Sequence, residues 1–541
     1  MHDVVVIGAG PAGLAAAVTA ATAGLDVALV DAGRRPGGQY YRHHAAETGG
    51  LHHGWDAFVR LRDALDRLTY LPGHRVWHVE DGFTVHALAG DRDERPVRID
   101  ARSVIVATGA YDRSLPFPGW DLPGVLTAGG AQALLKGDRV TAGERIVVAG
   151  TGPFLFPVAT GLAGAGATVV GVFESNRPYG FARHLARNPG KAWEGAGYAA
   201  ALARHRIPYL TGHAVVAAHG DGRVEAVTVA RLDRDWAPVD ERIIACDTVA
   251  VGYGFTPQLE IPLQLGCATR MDADGSPVVA VDVAQRTSVP GVYAAGETTG
   301  VGGAQLSLVE GELAGLGVAE AAGGVAPDPA HVSRLLAKRR RLRAFAEAMH
   351  EAYPVRPGWM GRLDDDTLVC RCEEVTCGRL AEAAGLGATD PRSAKLLSRA
   401  GMGWCQGRVC GYATSWLTAA ACGRSPSPDD LLAAARRPIA QPVRLRDLAE
   451  DESVSPRDAA EGPPVRLRDL AGDQSVRLRD AAEDPPARPG GLADDQSVGL
   501  REAAEDPPVR AGGLADDQSV RLRDAAEDPP ARPGGLADDQ S

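Results

Sequence analysis

At 541 residues, 45 % of them hydrophobic, the chain is long enough for roughly three or four domains and a sizeable buried core. A net charge of −12 excludes nucleic acid or an anionic membrane surface as a main partner. Of the 57 basic residues all but Lys136, Lys191, Lys338 and Lys395 are arginine, so an isolated arginine carries little information. The chain starts directly on a strand pattern, without a basic stretch and cleavage site, and no apolar run approaches ~18 residues. A cytoplasmic protein without a membrane span is therefore expected. In that reducing setting the eight cysteines point to metal or redox use rather than to disulfides.

The first thirty residues hold the densest pattern. Asp3 to Ile7 is a β-branched run, followed by Gly8, Gly10 and Gly13, an Ala/Leu-rich stretch to Gly24, and a second apolar run, Val27 to Val30, that ends in Asp31. The order is strand, glycine turn, helix, strand, acid. Gly8 permits the tight turn, Gly10 lets backbone approach a pyrophosphate, and Gly13 allows close packing of helix on strand. The helix N-terminus stabilises phosphate charge, and Asp31 can accept hydrogen bonds from a ribose diol.

Further on, Gly37, Gly38 and Gln39 form a loop able to pass close to a flat group. Trp77–Val79 and Phe83–His86 flank Asp81-Gly82 as a hairpin. A strand from Ser103 to Val106 runs into Ala107, Thr108 and Gly109. Together these features resemble the two-dinucleotide-binding-domain flavoproteins, the class of thioredoxin reductase. The resemblance implies that the first turn holds FAD, that Gly38 and Gln39 lie against the flavin, and that Ala107, Thr108 and Gly109 close the site. It also implies a last FAD segment far along the chain. Gly291 to Glu297 supplies it, a strand ending in Gly296 and Glu297, followed by Gly303 and a helix from Ala304. The acid of that class is usually Asp and binds the ribityl–pyrophosphate region; Glu297 is one methylene longer. The redox Cys-x-x-Cys of the disulfide reductases is absent, and Cys246 and Cys267 read as buried small apolar residues.

Between these segments lies a second unit of the same kind. Arg145–Ala149 is a strand, Gly150, Gly152 and Pro153 its turn, Phe154–Ala165 a helix, and Thr168–Phe173 a strand ending in Glu174. The third glycine is replaced by Leu155, which pushes helix and strand apart unless the backbone compensates. Glu174 favours NAD over NADP, since a carboxylate repels a 2′-phosphate. A working NAD site, a structural relic and a site for another adenine nucleotide stay open. The unit closes on Thr248–Gly252 and Tyr253–Pro257.

Past a basic helix, Val332–Met349, Cys370 and Cys372 are followed by Cys405 and Cys410, the pattern C-x-C-x32-C-x4-C. Four thiolates on two turns suit a [2Fe–2S] cluster or a structural zinc. Short helices are expected over Gly378–Ala384 and Arg392–Ala400. The segment resembles the bacterioferritin-associated-ferredoxin-like [2Fe–2S] domain, and that resemblance implies Cys370, Cys372, Cys405 and Cys410 as ligands. Cys377 and Cys422 fall outside the pattern. Joined to the flavoprotein part, it resembles the FAD/iron–sulfur α subunits of heteromeric amine dehydrogenases, the class of opine oxidase, hydrogen cyanide synthase and dye-linked proline and hydroxyproline dehydrogenases. This implies a partner, a glycine-oxidase-like flavoprotein β subunit, and an amino acid, imino acid or opine as substrate.

From about Val443 the chain repeats, with Ser453, Ser475, Ser497, Ser519 and Ser541 marking a period of 22 residues. Each repeat has too few large apolar residues to offset chain ordering, so disorder is expected. The resulting expectation is an α/β protein with two Rossmann-like domains, the second inserted in the first: 1–112 and 288–328 for FAD, 113–287 for the second nucleotide. A helical linker, 329–365, a small [2Fe–2S] domain, 366–425, and the repeats, 443–541, complete it. No substrate acid–base residue stands out. The alternative functions are a non-catalytic assembly subunit and a stand-alone NAD(P)H-dependent reductase.

Overall fold

The computed structural model describes residues 1–447, apart from 48, 91–93, 179–180, 182–183, 185–187 and 446. The 22-residue repeats lie outside the described residues.

Two five-stranded sheets organise the chain. In the first, the strand order is Val292–Ala294, Val104–Val106, Val4–Ile7, Val27–Asp31 and Thr69–Pro72. All pairs are parallel, with Val4 opposite Val27 and Val5 opposite Val104. Parallel strands covered on both faces must be apolar throughout, which is why these segments read as unbroken Val/Ile runs rather than as alternation. The strand Val292–Ala294 joins this sheet from beyond the second unit. Its return brings the helix Ala304–Ala321 onto the helix Pro11–Thr22. Their contact is backbone-close: a Cβ at Gly311 would lie 2.0 Å from the Ala12 carbonyl oxygen, and one at Gly315 2.6 Å from that of Ala16.

The second sheet has the order Tyr209–Thr211, Thr168–Glu174, Arg145–Gly150, Thr248–Gly252 and Val125–Thr127, again all parallel. Each unit carries a three-stranded antiparallel sheet. The expected hairpin is part of His74–Val79, Thr84–Ala89 and Arg95–Asp100, and His213–His219, Ala226–Leu232 and Pro238–Ala245 form the other. Two short strands, Ala110–Asp112 and Phe255–Pro257, pair antiparallel where the chain passes between the units.

The basic helix spans Pro329–Ala352. Beyond it, helices Cys377–Gly385, Pro391–Ser398 and Gly411–Ala421 surround the two cysteine turns. Their apolar faces are not separate from the second unit, because one buried core runs from Phe117, Trp120 and Val227 into Val369, Leu380 and Ala413. The Trp120 indole N–H donates to the Leu368 carbonyl at 2.5 Å, tying that junction. Among the described residues no helix is long and apolar enough to cross a membrane.

Candidate functional site

The first glycine turn is built by contacts that only hydrogen at Cα allows. Gly8 has φ +105°, and a Cβ there would lie 2.4 Å from the Ala107 carbonyl oxygen; one at Gly13 would lie 1.7 Å from the Gly8 oxygen. The helix therefore starts at Pro11, directly behind Gly10, and Gly10 as N-cap offers no side chain to the terminal amides. Gly38, at φ +58°, brings its own loop over the turn, and a Cβ there would lie 2.8 Å from the Gly10 Cα. At Gly10 itself a Cβ meets nothing nearer than that Gly38 Cα, at 4.0 Å. The result is a strip of bare backbone beside open helix amides, which fits a dinucleotide diphosphate.

Around this strip, Asp31 accepts from the Ala9 amide at 2.5 Å and the Gly33 amide at 2.6 Å, and burial raises its carboxyl above the ordinary range against those bonds. Gln39 is exposed and accepts from the Arg42 Nε at 3.2 Å. Ala107 is buried, the Thr108 hydroxyl donates to the Gln258 carbonyl at 3.3 Å, and Gly109 accepts the Gln258 amide at 3.0 Å. Gly296 and Gly303 both have positive φ, +78° and +83°. Glu297 accepts the Gly303 amide at 2.9 Å, just before the helix that begins at Ala304, and burial raises its carboxyl. Its extra methylene thus carries the carboxylate onto the chain's own loop.

Sequence reasoning missed the acid beneath this segment. Glu310 is fully buried and accepts from the Gly296 amide at 3.2 Å, the Thr299 hydroxyl at 2.9 Å, Arg339 at 3.1 Å and Arg343 at 2.6 Å. The one available signal was a pair of glutamates, Glu310 and Glu312, inside the apolar run Leu306–Val318, and the sequence does not say which of them is buried. Two arginines of the basic helix pair with it, so removing either one leaves Glu310 paired with the other, whereas removing Glu310 takes the shared partner from both.

The second turn begins alike and then diverges. Gly150 and Gly152 have φ +135° and +97°, but the helix starts only at Leu155, whose side chain is 1 % exposed against Gly252. Glu174 is also 1 % exposed. It accepts from the Thr151 hydroxyl, the Gly152 amide and the Asn176 amide, each at 2.8 Å, and burial pushes its carboxyl up to about 7. The Asn176 side chain in turn donates to the Pro354 carbonyl at 2.9 Å, so the chain beyond the basic helix lies across the mouth of this unit. Tyr353, next to Pro354, has its phenol raised by burial and by the Glu174 charge.

The four cysteines of the spaced pattern converge. Cys370 Sγ lies 3.9 Å from Cys372 Sγ, Cys372 Sγ lies 3.7 Å from Cys405 Sγ, and Cys410 is in hydrogen-bonding contact with both Cys370 and Cys405. The Gly401 amide donates to Cys370 Sγ at 3.4 Å, and a Cβ at Gly403 would lie 2.5 Å from Cys372 Sγ. The contact with Cys410, then backbone amides, lowers Cys370 and Cys405, while burial raises Cys372 and the contacts with Cys370 and Cys405 raise Cys410, as expected of four thiols that share protons at close range. Donor number and softness fit a metal cluster. Cys377 and Cys422 lie apart, and Cys246 and Cys267 are buried singly. Asp272, Asp274 and His350 also bring three ligand-type atoms together, but Arg270 and Arg113 already pair the two carboxylates at 2.9 and 2.8 Å.

Two parallel sheets, a bare-backbone glycine turn and a late Gly-acid segment define a dinucleotide-binding flavoprotein. Residues 2–323 match the pyridine nucleotide-disulphide oxidoreductase family, and the chain belongs to that family of flavin oxidoreductases. It is similar to the hydrogen cyanide synthase subunit HcnB of Pseudomonas aeruginosa, 35 % identical over 438 residues that span 76 % of this chain and 92 % of the relative. It is also similar to one of the subunits of opine oxidase from Agrobacterium tumefaciens, 33 % identical over 478 residues, 83 % of this chain and 91 % of the relative. Both relatives are subunits of larger enzymes. The fold is shared with L-proline dehydrogenase from P. horikoshii, with a TM-score of 0.58 at 22 % identity over 83 % of this chain and 79 % of that one.

Proposed function

We propose that the chain is the FAD- and iron–sulfur-dependent electron-transfer α subunit of a heteromeric amino-acid, imino-acid or opine dehydrogenase. The observation that carries the reading is the convergence of Cys370, Cys372, Cys405 and Cys410 in a chain whose first glycine turn fits a dinucleotide. Gly8, Gly10, Gly13, Asp31, Gly38, Gln39, the Ala107–Thr108–Gly109 turn, Gly296, Glu297, Gly303 and Ala304 would hold FAD, and the four cysteines a [2Fe–2S] cluster. Bound there, FAD would accept two electrons delivered by the partner flavoprotein, and a cluster would hand them on singly. The chain's residues supply bare amides for the diphosphate, a buried carboxylate network under the last segment, and N–H···S bonds at the sulfurs. The division into 1–112 with 288–328, 113–287, 329–365 and a bacterioferritin-associated-ferredoxin-like 366–425 belongs to this reading. So do a cytoplasmic setting and a flavoprotein β subunit that oxidises the C–N bond, the latter supported by the relatives' being subunits.

The enclosed Glu174 and late helix disfavour electron entry from NAD(P)H, or another adenine nucleotide at Gly150 and Gly152. The test is anaerobic: the chain co-purified with its partner flavoprotein is mixed with amino acids or opines, or with NADH. Flavin bleaching by the former alone is expected; bleaching at catalytic rates by NADH would install the reductase reading instead. In Cys405→Ala, turnover of the complex falls at least about 100-fold if electrons use the cluster, whereas unchanged turnover marks a purely structural quartet.

A further inference from the structure

Arg408 sits inside the second cysteine turn, between Cys405 and Cys410, and its side chain is only 11 % exposed. Nε donates to the Tyr111 hydroxyl at 2.7 Å and lies 3.0 Å from Glu260 Oε1, Nη1 donates to the Cys405 carbonyl at 3.3 Å, and Nη2 to the Ala440 carbonyl. The Tyr111 hydroxyl donates to Glu260 Oε1 at 3.1 Å. Glu260 is 5 % exposed and opens the short helix Glu260–Gln264. Tyr111 is two residues past Gly109 and pairs across with Thr256 in the strands that pass between the two units. Four segments distant in sequence therefore meet on one planar fork. A partly open cavity lies beside them, lined by Tyr111, Glu260 and Arg408.

We propose that Tyr111 and Arg408 are positioning residues that lock the cysteine loop to the turn closing the flavin site, so that one path, along the backbone from Gly109 to Tyr111 and through the hydrogen bonds Tyr111–Arg408–Cys405, joins the two redox centres. This rests on the reading of those centres given above. Each transfer takes one electron from the flavin and turns one ferric iron ferrous; Tyr111 and Arg408 gain and lose no atom. The planar fork is what lets one side chain reach the phenol, the carboxylate and the loop carbonyl together, and an ammonium cannot do so.

The test uses the full complex. Tyr111→Phe keeps the ring and removes both hydroxyl bonds; Arg408→Lys keeps the charge and removes the fork. FAD and iron per chain are measured first, then the rate at which the reduced cluster's EPR signal grows after the flavin is photoreduced. With iron and FAD unchanged, Tyr111→Phe is expected to slow that growth several-fold, and Arg408→Lys to slow it likewise despite the retained charge. Wild-type rates in both variants at full cofactor content would overturn the positioning role and leave the overall function standing. A wild-type protein without iron would instead remove the reading on which the proposal rests.

Discussion

Aligned on their glycines, the two turns share the first two and differ at the third, Gly13 against Leu155, with Ala12 against Phe154 beside it, and their helices start at different points. The first begins at Pro11; the second begins at Leu155, two positions later in the alignment, with Pro153 and Phe154 left in a turn. Asp31 remains partly accessible with two amide donors, whereas Glu174 is enclosed by three donors and by the Pro354 segment. One unit starts its helix directly behind the second glycine and leaves its acid half-buried, while the other starts it two positions later and buries its acid; at Gly152, as at Gly10, an added Cβ would meet nothing nearer than 4 Å. A shared fold and glycine motif therefore do not fix the same local geometry, because the helix start and the burial of the terminal acid differ between the two units.

Copying the second unit into the first should have the largest effect. Gly13→Leu places carbon where the Gly8 oxygen lies, 1.7 Å from the ideal Cβ, so the purified protein should carry essentially no FAD. Retention of stoichiometric flavin, read from the absorbance of released cofactor, would mean the close packing is not needed. The reverse change is smaller: Leu155→Ala should keep its flavin and lose about 2–5 kcal/mol of stability, as for other buried leucines, measured by urea unfolding. If flavin were lost as well, the second unit would be more than a packed scaffold.

Smallest is a change of slope. Burial holds the Glu174 carboxyl near 7, above its ordinary 4.5, so the folded state favours the protonated form. Its contribution is complete below the unfolded value and is lost as pH rises through about 7. Compared at about pH 5 and about pH 8, wild type should lose more stability than Glu174→Gln. Parallel curves would place the carboxylate in a wetter site than its 1 % exposure indicates.

Glycine turns, terminal acids and the cysteine quartet were legible because each is a local spacing with a steric or ligand-field reason. Leu155 was visible as a departure, although its consequence, a delayed helix rather than a splayed one, needed the backbone. Glu297 was named from the sequence as the late acid, but only the structure turns its carboxylate to Gly303. Tyr111 and Arg408 could not be paired from sequence, since 297 residues separate them and arginine is nearly the only base this chain uses. The strand Pro238–Ala245 escaped notice for a related reason: it is an exposed edge whose Asp240, Glu241 and Arg242 break any apolar alternation.

The most direct measurement is of iron, acid-labile sulfide and FAD in protein purified without oxygen from iron-replete cells. About two irons and two sulfides per FAD, with an EPR signal on reduction, is the predicted result. Stoichiometric zinc at the cysteines, or flavin with no iron, would contradict it.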